Sequence, residues 1–252
     1  MSDLPLFPVA VFIGTIAVLW ISSWIGAVVL RRRHPLAENA REDFNSTLAA
    51  TLTLLGLIIG FSFSMAINRH DQRRDLEQKE ANTIGTEYLR ADLLSAADAA
   101  KVKSLLRDYL EQRVAFYTVT EPERLRQVDA RTLQLRDELW SAVRAPALVE
   151  PIPAALLTVA GMNDVLDSQG DVQAAWWNHI PTAAWVLMLV VAIFSNVLMG
   201  YGSRRVKAGG ALMMVLPLVY AITFLLLSDV DSPRGGIIRV APHNLTRSLP
   251  PK

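Results

Sequence analysis

The chain has 252 residues, 52% of them hydrophobic, with 25 basic against 24 acidic side chains and no cysteine. A net charge of +1 offers no basic face for nucleic acid, and the lack of thiols removes disulfides, thiolate nucleophiles and sulfur-ligated metal sites. The four histidines, His34, His70, His179 and His243, do not fall at metal-ligand spacing, so neither a metal nor a cofactor is expected.

Charged side chains are absent from four long stretches: Leu4 to Leu30, Phe44 to Asn68, Asn178 to Ser203 and Ala208 to Ser228. About 20 apolar helical residues cross a bilayer core of roughly 30 Å, and each stretch is long enough. The pattern predicts an all-α protein with four transmembrane spans and a helical extramembrane domain between spans two and three. Residues 1–68 would hold spans one and two, 69–177 the helical domain, 178–228 spans three and four, and 229–252 an extramembrane tail. The start, Met1-Ser2-Asp3-Leu4-Pro5, lacks the basic region of a secretory signal, so span one is expected to remain as an anchor.

Arg31, Arg32, Arg33 and Arg41 follow span one, and Arg204, Arg205 and Lys207 follow span three. Four-pass topology puts both connections on the same side, which the positive-inside rule makes cytoplasmic. In a bacterial inner membrane both termini and the helical domain would then be extracytoplasmic. Arg69, Arg73, Arg74 and Lys79, directly after span two, pull the other way.

Span two is rich in small and hydroxyl residues. At 100° per residue Ser46, Thr53, Gly56, Gly60, Ser64 and Asp71 fall on one side of a helix. Gly56 and Gly60 form a small-xxx-small pair that lets helices approach closely. Alternatively the stripe, or its edge at Phe61 and Phe63, lines an axial pathway in an oligomer, with hydroxyls and rings along the route and apolar side chains gating by dewetting. No charged residue lies inside a span, which argues against a proton relay or a pump built on intramembrane carboxylates.

From Arg69 to Glu80 the chain has no Gly or Pro, so span two is predicted to continue as a helix, with a break near Ser95. Glu80 with Glu87, or Glu87 with Arg90, would suit an ion or ligand site; a simple i,i+3 pair between Glu87 and Arg90 is the plainer use. Amphipathic helices are predicted over 97–117 and 122–143, and another over 154–166 after Pro151 and Pro153. Asp167-Ser168-Gln169-Gly170-Asp171 reads as a turn, and Trp176 with Trp177 as the boundary anchor of span three. Asp229 and Asp231 read as solvated end caps of span four rather than a cation site. Asp231 to Gly236 reads as a turn, Ile237 to Val240 as β-prone, and the remainder as an extended tail.

This layout, with Leu54 to Ala66, Asp71-Gln72-Arg73-Arg74, Glu80 to Thr86, Leu89 to Leu94 and Asp231 to Val240, resembles the bestrophin-like domain family of bacterial membrane proteins over nearly the whole chain. That family is distantly similar to bestrophins, pentameric anion channels with four spans per subunit and a narrow neck lined by the second span. The resemblance implies a homo-oligomeric ion channel, selective for anions, with Ile58, Phe61 and Phe63 as neck candidates beside Thr53, Gly56, Gly60 and Ser64. Arg69, Arg73 and Arg74 become candidates for a wide mouth that concentrates anions, or else ordinary interfacial anchors. The resemblance also implies a cytosolic helical domain, opposite to the charge rule, and both orientations stay open. Expected partners are membrane lipid, further copies of the chain and inorganic ions. The alternative function is a non-conducting sensor or scaffold that binds partners through the helical domain. No enzyme and no catalytic residue is expected, since the sequence has no Gly-x-Ser-x-Gly elbow, no His-Glu-x-x-His, no phosphate loop and no dinucleotide fingerprint.

Overall fold

A computed structural model describes residues 6–203 and 210–250. The readings made on Met1 to Pro5, on Arg204, Arg205 and Lys207, and on the start of span four at Ala208 lie outside the described residues. The main helices are α1 Leu6–Trp24, α2 Arg41–Arg90, α3 Ala96–Thr118, α4 Pro122–Val149, α5 Pro153–Trp177, α6 Thr182–Gly202 and α7 Gly210–Asp231. Among the described residues, four helices are long and apolar enough to cross a membrane. Their placement is that predicted: α1, continued by a π-helical turn at Ile25–Leu30, then the first part of α2, then α6 and α7. The fold is all-α, with no strand among the described residues; Ile237 to Val240 are bends and irregular chain.

Contacts gather the chain into two units, one of residues 1–68 and 179–238 and one of residues 69–178 and 239–252. The first unit, which carries the spans, packs Leu19, Leu55, Ala66, Met188, Ala192, Phe224 and Leu227 into its core. Lipid is as apolar as these side chains, so close packing and interhelical hydrogen bonds must supply the cohesion. The crossing of α1 and its continuation with α6 shows both. A Cβ on Gly26 would fall on the Val197 carbonyl, and one on Gly200 would fall on the Ser23 carbonyl. Next to this contact Ser23 Oγ donates to Asn196 Oδ1 at 3.2 Å, while Asn196 Nδ2 donates to the Ala192 carbonyl at 2.8 Å.

The second unit packs the later part of α2 with α3, α4, α5 and residues 239–250 around Ile84, Val102, Leu106, Tyr109, Leu135, Leu139, Met162 and Val165. Each such side chain, fully buried, contributes about 1.5–3 kcal/mol. The break near Ser95 falls where predicted: α2 ends at Arg90, a 3-10 turn spans Ala91–Leu93, and Ser95 Oγ caps α3 by accepting from the Asp98 amide at 3.3 Å.

Three local readings need correction. Asp167 to Asp171 is not a turn but lies inside α5; Met162, Val165, Ser168, Val172 and Trp176 are all buried, and one packed face at helical spacing overrides the polar composition. α4 runs past 143 and through Pro146 to Val149, because a proline near a helix end costs only one intrahelical bond. Trp176 does not anchor a span: it is 4% exposed and packs in the second unit, 4.9 Å from Phe116 and 5.3 Å from Tyr117 between ring centroids, while Trp177 is 74% exposed.

Candidate functional site

The span-two part of α2 has a packed face and an open one. Leu55, Ser62 and Ala66 are buried, whereas Thr53, Gly56, Gly60 and Ser64 are exposed. A Cβ on Gly56 or Gly60 would meet nothing within 4 Å. These two glycines are therefore unlike Gly26 and Gly200, whose lack of a side chain is used up within the chain. Phe61 lies roughly 100° from Gly60 around the helix and is 65% exposed; Phe63 lies roughly 60° to the other side, half-buried against the core. Ile58 is roughly 160° from Gly60 and also packs against the core. The chain by itself thus groups Thr53, Gly56, Gly60 and Ser64, flanks them with the two phenylalanines, and sets Ile58 apart.

In the second unit the three candidate arginines differ. Arg73 is 1% exposed, and it donates from Nε to the Ala175 carbonyl at 3.1 Å and from Nη2 to the Asn178 carbonyl at 2.9 Å. These carbonyls close α5, where the helix dipole and unfilled acceptors favour a cation. Arg69 is half-buried. Arg74 is exposed and lines a polar recess of about 760 Å³ together with His70, Asp71, Arg239 and His243. Burial pushes His70 down; Asp71 opposes this, and Arg74 and Arg73 reinforce it.

Glu80 and Glu87 do not come together as a shared ion site. Glu80 accepts from Arg113 Nε and from Tyr117 Oη at 3.2 Å; burial pushes its carboxyl up, against the pull of Arg113 and Tyr117. Glu87 is fully buried, with Arg90 Nη1 3.9 Å from its Oε2, and both of its oxygens lack a hydrogen-bond donor. A Cβ on Gly161 of α5 would collide with that carboxylate. Burial raises Glu87 to about 8, with Arg90 opposing and Asp164 adding to the shift.

Sequence reasoning missed Glu77 and misjudged the two aspartates after span four. Glu77 receives the Asn244 amide at 2.9 Å, Asn244 Nδ2 at 2.6 Å and the Leu245 amide at 3.0 Å, which fastens residues 239–250 to the second unit. Asp229 and Asp231 are buried rather than solvated. Asp229 accepts from the Ile237 amide at 2.7 Å and the Ile238 amide at 2.9 Å. Asp231 accepts from the Ile180 amide at 3.0 Å. Spacing held the clue to the first group: Arg73, Glu77, Glu80, Ile84 and Glu87 repeat at three and four residues and share the packed face of α2.

Residues 16–245 match the Bestrophin-like domain. Among solved structures, the chain is similar to a bacterial Bestrophin homolog from Klebsiella pneumoniae. For one single-substitution variant the TM-score is 0.66 at 11% identity, with 94% of this chain and 98% of that one covered. A second variant gives 0.65 at 12% identity over 98% of each chain, and a further structure of the homolog 0.62 at 14% identity over 94% of this chain and 97% of that one. At such identities the likeness is one of fold alone. No curated protein matches the chain.

Proposed function

Because the chain belongs to the bestrophin-like domain family, we propose that it is a homo-oligomeric ion channel, selective for anions, with the pathway lined by the span-two part of α2. The observation that carries this reading is the open face of Thr53, Gly56, Gly60 and Ser64, a stripe of small and hydroxyl residues that, among the described residues, no other helix covers. Lipid has no use for hydroxyls, whereas a water-filled route between copies does. Phe61 and Phe63 at the edges of the stripe supply the apolar neck, with Ile58 as the third neck candidate. Arg69 and Arg74 raise the anion concentration at the mouth, and the buried Arg73 adds its charge from within the helical unit. The channel sits in the bacterial inner membrane, with the helical unit and termini on the extracytoplasmic side by the charge rule.

Ion flux from proteoliposomes tests the reading. Chloride is expected to pass faster than potassium. Phe61→Ala should change chloride flux severalfold without loss of fold, since the ring is mostly exposed, and Phe63→Ala should change it at some cost in stability. Arg74→Gln should lower chloride flux. No flux of either ion from protein shown to be folded and oligomeric would reject the channel and favour the sensor or scaffold.

A further inference from the structure

A second open feature lies among the spans on the membrane side where α1 and α6 begin and α7 ends. Thr15 and Val18 of α1, Trp185 of α6, and Phe224 and Ser228 of α7, the last of these in the final turn of its helix, line a cavity of about 450 Å³. Gly14 also lines it.

Two side-chain facts set the cavity apart from an accidental cleft. Several hydroxyls within the spans satisfy themselves on the carbonyl four residues back: Ser22 on Val18 at 2.7 Å, Ser195 on Val191 at 2.8 Å and, in α7 itself, Thr223 on Val219 at 2.8 Å. Ser228 does not. Its side chain is 2% exposed, and Oγ has no hydrogen-bond partner, which is costly away from water. The second fact is Gly14, which sits inside α1 although glycine weakens a helix interior by about 1 kcal/mol relative to alanine. A Cβ there would meet nothing within 4 Å, so no neighbouring helix requires the glycine. Its missing side chain keeps the cavity open.

We propose that this cavity is a binding site for one acyl chain of a bilayer phospholipid, whose ester carbonyl accepts the Ser228 Oγ hydrogen. The surroundings are the spans themselves, so hydrocarbon is the solvent at the open edge formed by Gly14 and Val18. The depth also fits. Ser228 lies in the last turn of α7 and Trp185 in the first turn of α6, the level at which indoles and lipid ester groups meet the membrane boundary. The site is independent of the channel reading.

The test titrates detergent-solubilised full-length protein with phosphatidylcholine brominated along its acyl chain, which quenches nearby tryptophan emission. Subtracting the signal of Trp185→Phe isolates Trp185. Saturable quenching of Trp185 is expected, with half-saturation shifted about three- to tenfold upward in Ser228→Ala, the loss of one ordinary hydrogen bond. Gly14→Leu, which the open space accommodates, should abolish the saturable phase while leaving the quenching of Trp20 and Trp24 intact. Quenching that never saturates, or that is the same in both variants, would mean annular lipid only and overturn the proposal. Protection of Trp185 that follows self-association rather than lipid would put a second copy there and overturn it as well.

Discussion

Glu87 shows what a single buried charge does to the helical unit. Its carboxyl, raised from 4.5 to about 8 mainly by burial, keeps a proton in the folded chain that the unfolded chain has already released. Stability from this group is therefore fully present below pH 4.5 and is lost as pH rises through about 8. The unfolding temperature should fall by several degrees between pH 5 and 9, and Glu87→Gln, which stays neutral against Gly161 and Arg90, should flatten the slope. An identical pH dependence in the variant would reject this role. Such residues were legible only in part. The i,i+3 relation of Glu87 to Arg90 follows from numbering, but Arg73 reads as a pore-mouth candidate or an interfacial anchor, Glu80 as half of an ion or ligand site with Glu87, and Glu77 carries no signal of its own. Their partners, the carbonyls of α5, the amides of Asn244 and Leu245, and Arg113, are distant in sequence.

At the scale of elements the glycines divide by what surrounds them. Gly200 faces the Ser23 carbonyl, and Gly60 faces open space. Gly200→Leu should therefore prevent the crossing of α1 and α6 and sharply lower the yield of folded protein. Gly60→Ala should leave the unfolding temperature unchanged or slightly higher, since alanine is the better helix former by about 1 kcal/mol, and should alter the oligomer or its ion flux. Thermal unfolding with size-exclusion chromatography separates the two effects; equal damage by both would show that the open face of α2 is needed to fold one chain. The helices themselves were mostly readable from apolar spacing, Ser95 and the polar run after Asn68. The failures, at residues 167–171 and at Pro146, came where local breaker signals were outweighed by a buried face or lay close enough to a helix end to cost little.

For the whole molecule the prediction concerns which side of the membrane holds the helical unit. The charge rule places it outside the cytoplasm. A reporter that is active only in the cytoplasm, inserted in the loop at residues 119–121 between α3 and α4, should stay silent; activity there would reverse the orientation and make the basic cluster after span two the dominant signal. The sequence by itself determined the four spans, the all-α class and the family, because long charge-free runs and helical periodicity are local properties that no distant contact has to supply. Only the tertiary structure decided which face of α2 is spent on the chain's own core and which stays open. It alone assigned Arg73 and Glu77 to holding the chain and moved Trp176 from the membrane boundary into a core. Those outcomes depend on groups far apart in sequence meeting at hydrogen-bond distance, and a linear pattern of residue types carries no distances.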